Sequence, residues 1–558
     1  MKQIKLVITL LFLFAVGMGY AQNSGHISGD VCFNGMFYIP DSLIGAEKVE
    51  SKVRANSWLN LNYNNGGFTL GARYEFYQAP LIDFEKIGYK GQGITHYFAD
   101  YKTDLLQVTV GTFYEQFGSG LSFRAYEDRQ LGIDNSLLGA RFRVNPYKGI
   151  AVKGVWGIER NNFDFDYTKR SDMIRGVDGE VSLDQIFEKL QEKGFSLAIG
   201  GSFVSKFEKS TEYQGFIPPE KVPQNVGLHA YRINFGYKRF RLEAEMASKI
   251  NDPNLTNDFI YKKGEALLVT TTYSQKGFGV SASFIRADNM DFRSQRNISA
   301  TTPILGINYI PAINRQYSYQ LLGNYSYASQ PNNQIGFQGQ VNYQIPKKSK
   351  LGGKYGTDLT FNYSRFHTIE QIPVEEALSL GTPSGTDGYT SSFFKFGKDL
   401  LYQDIGFDVT KKINADWKLM LGYNYIDYNL LILQGHGELA HIHHITSEVT
   451  YRINRKHALR GELHALFTKQ DMGDWIYGML EYSISPNWFF SVGDQYNYGN
   501  QAEAMRIHYY NFSVAYVVGA TRIAANFGKT KEGILCIGGV CRAVPASYGF
   551  GLNITTKF

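Results

Sequence analysis

The chain reads as all-β, a transmembrane antiparallel up-and-down β-barrel, on three observations. Apolar and polar residues alternate with a period of two along almost the whole length. After the N-terminal segment no run of about 18 apolar residues occurs. The chain ends on an alternating strand whose last residue is the aromatic Phe558. A period of two puts one face against lipid and the other against a polar interior. Lipid leaves the backbone only two ways to satisfy its hydrogen bonds internally, helices and closed barrels. With no helix long enough, the barrel remains.

Composition agrees. The 558 residues include 39 Tyr, 39 Phe and 58 Gly, and carry a formal net charge of +6. Such a length would suggest several soluble domains, but a barrel grows by adding strands around a lumen. The basic balance is mild and no basic run is interleaved with aromatics, which gives no support for nucleic acid as a partner.

The N-terminus has the pattern of a secretory signal. Lys2 and Lys5 supply charge, residues 6–16 a short apolar core, and Gly19-Tyr20-Ala21 a small-x-small cleavage site. Residues 1–21 are therefore expected to be a signal peptide and residues 22–558 the outer-membrane barrel domain. The apolar core is too short to span a bilayer, and Val31-Cys32 lacks a lipobox context. The expected location is the outer membrane of a Gram-negative cell. Its lipid surrounds the protein, and the barrel-assembly machinery is the partner during insertion.

The strands follow. Phe68, Leu70, Ala72, Tyr74 and Phe76 alternate with Thr69, Gly71, Arg73, Glu75 and Tyr77. Phe240, Leu242, Ala244 and Met246 alternate with charged residues, as do Leu459, Gly461, Leu463, Ala465 and Phe467. In the terminal strand Tyr548, Phe550, Leu552, Ile554 and Phe558 share one face. This resembles the C-terminal signature by which bacterial outer-membrane barrels are recognised for insertion, so Tyr548, Phe550, Leu552 and Phe558 are read as the insertion signal.

With Phe558 periplasmic, connections should be short inside and long outside. Tight turns fall at 518–520, 485–487, 454–457, 414–416, 274–277, 237–239, 145–149, 102–104 and 64–67. Long connections fall at 370–398, 207–226, 117–137 and 79–94. Weak strands at 172–181 and 301–309, with a first strand near 25–38, bring the count to about 26, within a range of about 22–26. Trp417 and Trp488 follow periplasmic turns, and Trp58 and Trp475 begin strands at the other rim, the placement of an aromatic girdle. Ser182-Leu183-Asp184-Gln185 reads as a capping box before an apolar stripe of Leu183, Ile186, Phe187 and Leu190. That periplasmic helix either covers the lumen or packs under the rim.

Chemistry is sparse. Cys536 and Cys541 are separated by four residues in an exterior connection, and an oxidising compartment favours a disulfide between them; Cys32 is left over. His436, Glu438, His441, His443 and His444 crowd one exterior stretch, and His436, His441 and His443 are weak metal candidates. No nucleophile elbow, Walker loop, dinucleotide fingerprint or zincin helix occurs, and no plug domain precedes the first strand. No cofactor or catalytic residue is assigned. The inward charges are Arg73, Glu75, Glu115, Arg141, Arg143, Arg232, Arg241, Glu243, Glu245, Arg460, Glu462 and Arg522. They either line a water-filled pore or pair across strands and with an inserted loop. The segment 117–137 mixes Arg124, Glu127, Asp128 and Arg129 with Leu121, Phe123, Leu131 and Ile133, a mixture suited to folding inward.

Five strings resemble an uncharacterised outer-membrane β-barrel family of Bacteroidetes, a domain of unknown function. They are Asp41-Ser-Leu-Ile-Gly-Ala46, Gly111-Thr-Phe-Tyr-Glu-Gln-Phe-Gly-Ser-Gly120 with Arg124-Ala-Tyr-Glu127, Arg175-Gly-Val-Asp-Gly-Glu180, Asn308-Tyr-Ile-Pro-Ala312 and Cys536-Ile-Gly-Gly-Val-Cys-Arg542. The resemblance implies fold and location and carries no activity. The leading expectation is a non-enzymatic, porin-like barrel with an obstructed lumen, acting as a pore or scaffold. The alternative is a partner-binding component of an envelope assembly or secretion complex, with periplasmic or surface lipoproteins as partners. An outer-membrane hydrolase is the third reading, and no recognisable site supports it.

Overall fold

The computed structural model describes residues 25–87, 89–163, 173–209, 222–297, 306–374, 384–537 and 540–558. The expected signal segment 1–21 lies outside these residues. Among them, 24 strands form one antiparallel sheet that closes on itself. The ring shuts where His26–Tyr38 pairs with Ser547–Lys557, with Phe33 opposite Ile554. Closure removes both sheet edges, the requirement for crossing lipid. No helix among the described residues is long and apolar enough to cross a membrane.

The alternation sorts the faces. Phe68, Leu70, Tyr74 and Phe76 are exposed, as are Phe240, Met246, Leu463, Phe467, Phe550 and Leu552. Their strand neighbours Glu75, Glu245, His464 and Leu466 are buried. One face therefore presents an apolar band, and the other packs inward.

The ends differ as the loop lengths require. At one end the connections are tight, as at Gly66-Gly67, Lys238-Arg239 and Gly519-Ala520. At the other they are long, and the longest runs over 289–332. The expected weak strand at 172–181 is present as Met173–Ser182. Of the one expected at 301–309, residues 301–305 lie outside the described residues; residues 306–309 pair with no strand of the ring, and Ile307 and Ile310 are buried in the core. The ring of 24 strands falls within the expected range of about 22–26.

Two further expectations are corrected. Trp417 and Trp488 lie exposed at the turn end, Trp417 stacked on Tyr451 at 4.3 Å and Trp488 tilted against Tyr516 at 4.5 Å. Trp475, however, is buried in the core, and Trp58 stacks on Arg129 at 3.6 Å, so neither belongs to an outer girdle. The helix after Ser182 forms as two short turns, Leu183–Ile186 and Glu188–Glu192, with no buried residue. Ser182 makes no side-chain cap; Asp184 instead accepts from Leu197 N at 3.0 Å. Lys148 pairs with Glu188 at 2.6 Å, so the helix belongs to the turn-end rim.

Candidate functional site: a lumen packed by two segments

The core is inside the ring and is contiguous. It joins wall residues such as Ile174, Val226, Ile285, Phe366, Ile426 and Leu466 to Phe117, Leu121 and Phe123 of one long connection. Met290, Phe292, Ile307, Leu321 and Tyr325 of another complete it. Since these wall residues come from strands spread around the barrel, the two connections fill the space between opposite walls.

The connection 114–136 is built to turn inward. Glu115 accepts from Lys153 at 3.0 Å and pairs with Arg141 at 3.2 Å, fixing its start. Phe117 packs on Phe123 with ring centroids 5.1 Å apart. It lies over Gly176, where a Cβ would stand 2.8 Å from its ring. Gly118 adopts φ +52°, and a Cβ there would lie 2.4 Å from the Glu245 carboxylate. That left-handed turn lets Ser119 N donate to Glu245 Oε2 at 2.7 Å. Arg124 then lies over the rings of Tyr126 and Tyr309, 4.1 Å from each centroid.

The second connection, 289–332, interlocks with the first. Asn308 donates to Leu121 O at 3.2 Å and to Met290 O at 2.9 Å, and accepts from Phe292 N at 3.3 Å. Asn135 returns the link, donating to Gly306 O at 2.7 Å and to Arg124 O at 3.1 Å. Two buried wall lysines hold the entry: Lys206 donates to Arg293 O at 2.7 Å and Lys249 to Asp291 O at 2.5 Å. Further along, Arg315 pairs with Asp408. Tyr317 donates to Asp404 Oδ2 at 2.8 Å and Tyr325 to Asp471 Oδ2 at 3.1 Å. Burial and the adjacent Asp404 push the Tyr317 hydroxyl's pKa well up, so it stays a donor. Orphaned buried polar groups are costly, and these bonds answer the backbone of an irregular segment inside a barrel.

A buried ion network fixes the first connection to the wall. A bulge opposite Arg73 turns both Thr95 and His96 inward. Arg160 reaches Asp134 at 2.6 Å and Glu75 at 2.8 Å, and Arg73 reaches Glu127 at 3.0 Å. Burial alone would raise the Asp134 carboxyl's pKa; His96, Arg160 and Arg73 outweigh it and hold it below the usual carboxylate range. Glu75, His96 and Asp134 bring metal-type ligand atoms within 4.8 Å of one another. Two guanidiniums already occupy these carboxylates, and a cation would have to displace them.

The remaining singled-out residues fall as follows. Arg232 pairs with Asp178 at 2.6 Å and Glu180 at 3.0 Å. Arg460 reaches Glu448 at 2.9 Å and also pairs with Glu462. Arg143 and Glu243 line a cavity of about 570 Å³ beneath the Gly118-Ser119 turn. Arg241 donates to Lys238 O and Phe240 O near a turn, and Arg522 is exposed at the turn end of its strand. His436, His441 and His443 do not converge. His436 is exposed on a loop, His441 binds Asp427 at 2.6 Å, and His443 bonds Tyr423 at 2.8 Å. Cys536 and Cys541 face each other in the hairpin Gly533–Val544 and are disulfide-bonded. Arg542 of that hairpin donates to Gln130 O at 3.0 Å and pairs with Asp83 at 2.8 Å. Cys32 is free and buried.

Four of the five strings singled out in the sequence converge on this interior, through Phe117, Gly118 and Arg124, through Gly176 and Asp178, through Asn308, and through Arg542. The chain belongs to DUF6029, a family of unknown function. The family model matches residues 1–558. No curated protein sequence matches the chain. Among solved structures it is similar to a point mutant of the ferric enterobactin receptor PfeA of Pseudomonas aeruginosa. Identity is 10%, covering 96% of this chain and 81% of that one, with a TM-score of 0.42. It is also similar to the translocation pore of the P pilus usher PapC, with 9% identity, 95% and 99% coverage and a TM-score of 0.34. For the copper transporter OprC the figures are 8%, 96%, 83% and 0.38. This DUF6029 chain is a closed 24-strand antiparallel β-barrel.

Proposed function

We propose that this protein resides in the outer membrane as a barrel closed at rest, its lumen stoppered by residues 114–136, 289–297 and 306–332. The observation that carries this reading is the Asn308–Asn135 interlock inside a core that joins wall residues from Phe113 round to Trp475, more than half of the ring. A ring of about 24 strands exceeds porins of about 16–18 strands, which already conduct. Left empty, it would breach the permeability barrier. The filled lumen favours a non-enzymatic scaffold, or a passage that opens only when the two segments move, over a constitutive diffusion pore. In this reading residues 1–21 are removed on export. The outward face of the terminal strand, with Phe550, Leu552 and Phe558, is what the assembly machinery reads. The test is the sensitivity of expressing cells to a large hydrophilic antibiotic such as vancomycin. Cells carrying the intact protein should match controls, and cells carrying a deletion of 119–130 should become sensitive. Equal sensitivity of both strains at equal surface levels would oppose the proposal.

A further inference from the structure

A cavity of about 400 Å³ lies on the loop side, between the first three strands and residues 127–134. Its size suits a small ligand, since such sites span about 300–1,000 Å³. Its lining joins aromatic rings to planar polar side chains: Trp58, Tyr77, Phe84 and Tyr89 stand beside Asn34 and Gln130. Three rings are held by guanidiniums: Arg129 over Trp58 at 3.6 Å, Arg542 over Phe84 at 4.7 Å, and Arg160 over Tyr89 at 4.7 Å. The rings are therefore preorganised before any ligand arrives.

The hydrogen-bonding groups here are incompletely used. Arg129 Nη1 is buried without a partner. Neither the Trp58 indole N–H, the Tyr77 hydroxyl nor the Asn34 amide has a side-chain hydrogen bond among the described residues. Formal charges balance. The carboxylates Glu75, Asp83, Glu127 and Asp134 face Arg129, Arg160 and Arg542, with Arg73 behind them in the same network. A net-neutral pocket pays a desolvation cost for a charged guest with no compensating counter-charge. Aromatic faces with unpaired donors and amides suit a guest that is apolar on its ring faces and hydroxylated at its edges.

We propose that this cavity binds a small neutral carbohydrate, a mono- or disaccharide. One wall of the pocket is residues 127–134 of the first lumen segment, so the proposal rests on that segment being docked as in the closed-barrel reading and goes beyond it in naming a ligand; loss of sugar binding with antibiotic exclusion intact would sink this proposal alone. The experiment is isothermal titration of the full-length protein in detergent with glucose, N-acetylglucosamine and maltose, and with inorganic phosphate and glutamate as charged comparisons. Two variants change the pocket and spare the ion network: Asn34→Leu removes the unpaired amide, and Trp58→Phe removes the indole N–H while keeping an aromatic ring. Saturable binding of at least one of the three sugars, weakened tenfold or more in both variants at unchanged melting temperature, is expected. No saturable binding of any of the three, binding indifferent to both substitutions, or preference for phosphate or glutamate would each overturn the proposal.

Discussion

Phe117→Ala tests whether the lumen segments form a unit separable from the wall. Phe117 is 0% exposed, packs on Phe123 at 5.1 Å, and covers Gly176, which has no side chain to fill the void its truncation would leave. Truncating a buried Phe costs about 3–5 kcal/mol. The wall strands keep their hydrogen-bonded partners in the variant, so the whole cost falls on the docked state of the segments. At 1.4 kcal/mol per tenfold, docking weakens by roughly two to three and a half orders of magnitude. Hydrogen exchange followed by mass spectrometry reads this directly. Peptides from 114–136 should exchange faster, and so should peptides from 306–327, because Asn308 bonds to Leu121 O across the two segments. Peptides from Phe240–Lys249 should keep their protection. Unchanged exchange in both segments, or equal loss of protection in wall and segments, would refute the reasoning.

Three further outcomes follow from the same geometry. Arg160→Met leaves Glu75 and Asp134 with less compensation inside the barrel; removing one partner of a buried pair costs about 3–5 kcal/mol, and proteolysis of the variant should begin within 127–134. Phe550→Lys puts a charge on the apolar band, at about 2–4 kcal/mol near the midplane, so the heat-modifiable folded form on gels should fall; normal folding would count against the assigned face. An epitope inserted beside Glu503, whose side chain is 88% exposed in a loop-end connection, should bind antibody on intact cells; labelling only after permeabilisation would reverse the topology.

The wall was legible because its signal is local. Phe68 to Tyr77 alternates whatever the rest of the chain does, and tight turns such as Gly66-Gly67 declare themselves. Periodicity does not reveal what an apolar residue will meet. Leu305, Ile307 and Tyr309 carry the alternate apolar spacing of a lipid-facing strand, yet Ile307 is buried in the lumen core. Trp475 begins its strand as expected but faces inward, whereas Trp58 lies in the middle of Val53–Asn65, opposite Cys32, and also faces inward. The mixed character of 117–137 was readable, whereas its partner 289–332 was not. Asn308 meets Leu121 across 187 positions, and Lys206 and Lys249 bond backbone carbonyls, contacts with no signature in sequence.

The closed lumen is tested most directly by single-channel recording of the purified intact protein in a planar bilayer, beside the variant lacking 119–130. The structure predicts no steady channel from the intact protein and wide, lasting openings from the deletion. A wide, steady conductance from the intact protein that the deletion leaves unchanged would contradict it.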